Sequence, residues 1–188
     1  SYNAWLTIQI GCDNKCAFCI VPAVRGAEIS RPYVDIVGEA EQLAADGVTE
    51  ITLLGQNVNS YGRDLALAAR QAGDESAKLR PRFSSLLRDV GAVEGIRRVR
   101  FTSPHPKDMR PDTFAAMAET PEICEHLHYP LQSGSDRVLA LMHRGYTAAR
   151  YLDRLGQARA AIDDLAVSTD IIVGFPGETN DDFERTLE

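Results

Sequence analysis

No run in this 188-residue sequence approaches the length of a membrane span. Its first residues carry none of the basic, apolar and small-residue segments of a secretion signal. Basic charge is also in short supply: 20 Lys and Arg face 27 Asp and Glu, a formal −7 that counts against a large nucleic-acid surface on this chain alone. The arginines that do group, Arg97, Arg98 and Arg100 and then Arg80 and Arg82, read as a solvated rim. Cysteine is scarce, with four in the chain. These deficits set the expectation of a cytoplasmic protein with no membrane partner. In a reducing compartment clustered thiols bind metals or do chemistry more often than they form disulfides.

What is present is ordered. The length suits one sizeable domain with a real core. WLTIQI (5–10) reads as a buried strand, and a cysteine-rich loop follows it. Ile36, Val37, Ala40, Leu43 and Ala44 then share one helical face between Pro32 and Gly47, the residues that open and close helices. EITLL (50–54) is a second strand ending in GQN. Residues 60–82 have little β character, mixed charge and a proline, and read as a surface insertion with a short helical piece in DLALAARQA. Phe83, Leu86, Leu87 and Val90 mark the next helix, RRVRFT the third strand, and PDTFAAMAET a short helix. HLHYPL is a fourth strand. Two helices follow, one through Val138 to Met142 and one holding Tyr151, Leu152, Leu155, Ala158 and Ile162. VSTDIIV (167–173) is a fifth strand, and Thr179 or Asn180 caps a last helix with acid in its first turn.

Strand–helix alternation repeated five times argues a parallel sheet covered by helices. Each strand runs into a small or polar cluster: GCDNKC, GQN, SPHP, QSGSD, GFPGE. In a barrel-type α/β protein all such loops share the face that carries the active site, whereas a doubly wound sheet concentrates its site at one switch point. The expected fold is therefore a partial, TIM-like (β/α) barrel with five parallel strands and no closure.

The chemistry sits in GCDNKCAFC (11–19), which holds Cys12, Cys16 and Cys19. Clustered thiolates suit zinc or iron–sulfur clusters. Structural zinc wants four ligands. The remaining donors, Cys124, His126 and His128, precede or enter the fourth strand, at the opposite end of a parallel barrel, and Cys124 reads as a buried free thiol. Three thiolates on a four-iron cluster instead leave one iron open for a ligand.

Cys-x3-Cys-x2-Cys, with Phe18 before its last cysteine and placed after the first strand of a partial barrel, resembles the radical S-adenosylmethionine superfamily. CIVPAVRGAEISRP, LLGQNVNSYG, FTSPHP, LQSGSDRVLALMHRGYT and DIIVGFPGETNDDFE are similar, in order, to the tRNA methylthiotransferases of the MiaB type. The resemblance implies a [4Fe–4S] cluster on Cys12, Cys16 and Cys19 whose open iron chelates S-adenosylmethionine. Reductive cleavage would then release a 5′-deoxyadenosyl radical, with the protein orienting the cofactor. It also implies that Phe18 packs near the adenine and that Gly55, Gln56 and Asn57 meet the methionine amino group, although the two-glycine-plus-acid form of that motif is missing here. Gln132, Ser133, Gly174 and Gly177 would line the adenosine and ribose. Ser103, His105 and Arg144 are weaker candidates for the cofactor carboxylate or the substrate, and Arg25 and Arg31 for RNA phosphate or for capping the loop.

By the same resemblance the activity is methylthiolation of carbon 2 of isopentenyl-adenosine beside the anticodon, with the tRNA anticodon stem-loop and an external electron donor as partners. Residues 1–188 correspond to a radical core. The sulfur-supplying N-terminal domain, with its own second [4Fe–4S] cluster, and the C-terminal RNA-binding TRAM domain of the family are not in this stretch, so the core alone is expected to bind its cluster without completing the reaction. Two alternatives stand beside this one: a methylthiotransferase acting on a ribosomal protein, and a zinc-stabilised domain without catalysis.

Overall fold

The computed structural model describes residues 2–188. Five strands run parallel: β1 (Asn3–Thr7), β4 (Glu50–Leu54), β5 (Arg98–Phe101), β6 (His126–His128) and β7 (Ala166–Ser168). A two-residue antiparallel pairing, β2 (Gln9–Ile10) with β3 (Ile29–Ser30), brackets the cysteine loop. The helices are α1 (Val21–Arg25), α2 (Tyr33–Ala45), α3 (Arg63–Gln71), α4 (Phe83–Gly91), α5 (Pro111–Glu119), α6 (Asp136–Leu141), α7 (Ala148–Ala161) and α8 (Asn180–Leu187).

β1, β4 and β5 form one sheet in that order, and β6 pairs with β7. A parallel bridge between Val99 and Ile123 joins the two pieces, with Cys124 N donating to Val99 O at 3.0 Å. The spatial order is thus the chain order, curved and unclosed, with β1 and β7 at its edges. None of the helices among the described residues is long and apolar enough to cross a membrane.

The helices other than the short α1, which buries nothing and was not expected, form where the sequence placed them. Phe83, Leu86, Leu87 and Val90 of α4 are all buried, each such burial contributing about 1.5–3 kcal/mol. In α2, Ile36 and Ala40 are buried and Val37, Leu43 and Ala44 pack at the core's margin. Thr179 caps α8 in a full capping box with Asp182, whose carboxyl is held far below the usual carboxylate range by hydrogen bonds from Arg137, Ser135 and Thr179.

Several expectations need correction. The first strand is not buried throughout: Leu6 and Ile8 are enclosed, while Trp5 is 77% exposed because it faces out from an edge strand. Leu152 likewise points to solvent on α7, where Tyr151 and Ala158 meet the core. The fifth strand is three residues long rather than seven, since Thr169 turns its Oγ1 to the Leu131 N–H and leaves Ile171 bridged singly to Gln132. Within 60–82, α3 forms and its side chains stay outside the core, but Ser60 and Tyr61 are fully buried, Tyr61 Oη donating to Arg31 O at 2.8 Å. Cys124 is half-buried rather than buried. Of the rim arginines, Arg98 and Arg100 stay exposed as expected and both pair with Glu50.

A polar plug fills the space between the cysteine loop and the turn after β4. Glu28 is buried there and accepts from Ser60 Oγ at 2.6 Å, while its N–H donates to Asp13 Oδ1. Burial pushes the Glu28 carboxyl up, partly opposed by the Ser60 hydrogen bond. An acid raised by folding favours its protonated native form, so stability falls as pH climbs from the unfolded pKa to the folded one. Glu28→Gln, which keeps an acceptor for Ser60, should match the parent's Tm at acid pH and exceed it at neutral pH. Parallel curves across that range would show that the charge costs nothing.

Candidate active site at the C-terminal ends of the strands

The cysteine loop leaves β2 through Gly11, whose φ of +75° lets the chain turn back on itself. Cys12 N–H donates to Gly26 O at 3.2 Å and Ala17 N–H to Met142 O at 3.0 Å, so the loop is pinned at both ends. Cys12 and Cys16 are buried and Cys19 is exposed; all three are free thiols. Burial raises the Cys12 thiol, against a hydrogen bond from Asn14.

Opposite Cys16 stands Arg144. It sits between His143 at φ +56° and Gly145 at φ +70°, two left-handed residues that reverse the chain after α6 and aim the side chain inward. Arg144 is 5% exposed, and among the described residues no carboxylate pairs with it. Its Nη1 lies 3.3 Å from Cys16 Sγ, its Nε donates to Tyr146 Oη at 3.2 Å, and the Phe18 ring centroid is 5.9 Å away. Tyr146 in turn donates to Leu131 O at 2.8 Å. A buried cation without a partner is costly, so this geometry calls for an anion at Cys16.

His105 completes the arrangement. Its Nδ1 accepts from Lys107 N–H at 3.1 Å, which leaves the neutral ring's proton on Nε2, 3.8 Å from Cys16 Sγ. Burial, then the charges of Arg144 and Lys107, push its pKa down to about 2, so it is a neutral donor. The peptide is held by Asn59, which takes His105 N–H at 2.8 Å and returns a bond to its carbonyl at 2.9 Å.

Gln56, Ser103, His105, His128, Gln132 and Arg144 share the wall of a hollow of about 180 Å³ with Asp170. This is below the 300 Å³ or more usual for a ligand cleft. Larger hollows of about 380–410 Å³ lie elsewhere, but this one has the thiol loop beside it. Ser103 (φ 55°) and Gln132 (φ 72°) add strained backbone at the same strand ends, conformations that cost about 1–3 kcal/mol each and cluster at functional sites.

Of the residues read from the sequence, Gln56 and Gln132 reach this wall, as do the weaker candidates Ser103, His105 and Arg144. Gln56 Oε1 is buried with no donor, an acceptor left for a ligand's N–H to satisfy. Gly55 has a different constraint: a Cβ there would stand 2.8 Å from Gln9 Cγ. Asn57 is buried and donates from Nδ2 to Asp108 Oδ2 at 2.8 Å. Ser133 is buried but turned to Ser135 N–H and Thr186. Gly174 and Gly177 are exposed, outside the wall, with Gly177 O accepting from Arg137 at 2.6 Å. Arg31 is engaged with Thr7 O and Glu39. His128, Asp170 and Lys107 were not anticipated as a group. The turn cluster SPHP stops one residue short of the last of them.

Three thiols in one loop, with the Arg144 guanidinium and the His105 Nε2 beside the Cys16 sulfur, are a donor set that suits an iron–sulfur cluster. Cys124 lies beside the start of β5, away from the loop, and His126 pairs with Ser168.

A curved, unclosed parallel sheet with three thiols in the loop after its first strand pairing defines a cluster-bearing α/β-barrel protein. The model for the radical SAM superfamily matches residues 6–188, and the chain belongs to that superfamily. Membership implies a [4Fe–4S] cluster and S-adenosylmethionine. At finer grain, the chain is 54% identical over 187 residues to the tRNA-2-methylthio-N(6)-dimethylallyladenosine synthase of Mycobacterium leprae (strain TN) and 57% identical to that of Streptomyces viridosporus. Each alignment covers 100% of this chain and 35% of the relative, so the chain spans about a third of the length of the curated relatives it matches. Among solved structures, the radical S-adenosylmethionine methyltransferase TsrM from Kitasatospora setae, with tryptophan and a SAM analog bound, superposes with a TM-score of 0.67 at 17% identity. It covers 98% of this chain and 33% of its own. Methylornithine synthase (PylB) gives 0.59 at 16%, covering 98% and 48%. These likenesses show the fold.

Proposed function

We propose that this chain is the radical-generating part of a tRNA methylthiotransferase that modifies carbon 2 of isopentenyl-adenosine. The observation that carries the reading is identity above 50% along the whole chain to synthases of that name. When bound, the cluster and S-adenosylmethionine supply one-electron cleavage of a carbon–sulfur bond. The chain's own residues do the rest. Cys12, Cys16 and Cys19 hold the cluster, and Arg144 and His105 Nε2–H donate toward the Cys16 sulfur. Gln56 Oε1 accepts from the methionine ammonium. Phe18 and Gln132 flank the nucleoside, whereas Ser133, Gly174 and Gly177 stand outside the wall of the hollow.

Anaerobic reconstitution with iron and sulfide tests this. Visible charge-transfer absorption and four irons per chain are expected in the parent and in Cys124→Ala, and neither in Cys12/Cys16/Cys19→Ala. Retention of one zinc that depends on Cys124 would instead favour the zinc-stabilised domain. With the intact protein, unmodified tRNA should become methylthiolated and a ribosomal-protein peptide should not; the reverse result would move the substrate to protein.

A further inference from the structure

A second hollow, about 390 Å³, opens between the start of α3, the turn before α5 and the outer face of α7. Five cations border it: Arg63, Lys107, Arg110, Arg150 and Arg154. This concentration stands out on a chain of net charge −7. The one carboxylate in its wall, Asp108, is already committed to Asn57, Arg63 and Lys107. Arg110 pairs with Asp112. Arg150 and Arg154 have no carboxylate among the described residues. Arg150 Nη2 donates to Lys107 O at 3.4 Å, and Arg154 meets the neutral Gln157 while its Nε is buried without an acceptor. They stand one turn apart on α7, a like-charge spacing that costs helix stability unless an anion bridges it.

We infer that this hollow is a phosphate site for the backbone of the RNA substrate, a reading that rests on the proposed function. Oxyanions suit the donor set, since planar guanidinium forks match phosphate oxygens. Lys107 ties the site to the chemistry: its Nζ donates to Asn14 Oδ1 inside the cysteine loop, and its N–H fixes His105. A backbone phosphate held by Arg150 and Arg154 therefore enters beside the radical site. The acidic remainder of the chain repels RNA elsewhere and confines it to this approach.

The test is binding of an unmodified anticodon stem-loop RNA to the intact protein across a salt series, with inorganic phosphate as competitor. Arg150→Gln/Arg154→Gln should lower the slope of log K against log salt by about 1, the one phosphate the pair holds, and raise KM for tRNA with kcat unchanged. Arg150→Lys/Arg154→Lys should restore the slope. An unchanged slope in a Gln variant of parental Tm would overturn the phosphate site while leaving methylthiolation of tRNA intact. Full displacement of the RNA by millimolar inorganic phosphate would show a free-anion site and also overturn it. Failure of the proposed function appears separately, as absent tRNA methylthiolation in the parent.

Discussion

Arg144→Met should pull the metal-free and the cluster-loaded protein in opposite directions. In the metal-free chain Arg144 is a cation almost wholly removed from water, with a thiol, a phenol and an aromatic ring around it and no carboxylate. Exchanging buried ion pairs for apolar side chains of similar volume is often neutral or stabilising, by up to about 4 kcal/mol, and a cation with no carboxylate has still less attraction to lose. With thiolates on iron the balance reverses. The guanidinium then faces an anion in a low-dielectric setting, and losing such an outer partner typically costs about 10- to 100-fold in metal affinity or activity. The expected result is a higher Tm without the cluster, faster iron loss to a chelator with it, and a cluster harder to reduce, since a neighbouring positive charge is gone. Arg144→Lys, which keeps charge but not the fork, should fall between. If the Met variant loses stability in the metal-free state, Arg144 is simply a packed structural residue and the reading of Cys16 as an anion site loses its physical basis.

Gly11→Ala should abolish cluster binding while leaving the sheet folded. A Cβ at Gly11 would stand 2.0 Å from Ala27 O and 2.7 Å from Gly26 O, both backbone atoms. Neither can retreat cheaply. Gly26 O accepts from Cys12 N–H, and the neighbouring strands are registered by Ile10 against Ile29. Gly26 makes an internal control, with the same φ of +75° and nothing within 4 Å of its would-be Cβ. Gly26→Ala, at ψ −163° in a region of backbone open essentially to glycine, should cost about 1–3 kcal/mol, the conformational penalty alone. Gly11→Ala adds the clash and should exceed about 3 kcal/mol locally, opening the pairing of β2 with β3. Iron content near zero, unchanged far-UV circular dichroism and new proteolysis between residues 11 and 27 would be the signature. Equal behaviour of the two variants would show that the close approach is not limiting.

The sequence disclosed those parts that depend on local pattern. EITLL forms the second strand over its whole length, and the four spaced apolar residues of α4 are all buried, because periodicity and burial are the same fact seen twice. The common face of the strand-end clusters was likewise readable. Contacts across long separations were not. Arg144 stood out as polar and close to the active face, but nothing near it in sequence indicated a sulfur 128 residues earlier. The pairing of β2 with β3 escaped for a related reason: two residues per strand are too few to show alternation. Trp5 and Leu152 were misplaced because a period says which residues share a face and not whether that face is covered.

The exposed indole has a practical side. Trp5 is the chain's single tryptophan, and it already faces water in the folded state. Its emission should be red-shifted from the outset and change little on denaturation, so a fluorescence melt would miss the transition. The stacked rings of Tyr129 and Tyr151, 4.5 Å apart, with Tyr146 beside them, lie next to Arg144 and lose their fixed geometry only when that face unravels. Near-ultraviolet dichroism of these tyrosines is the optical window on the cysteine-bearing face, and the indole reports only on the solvent beside β1.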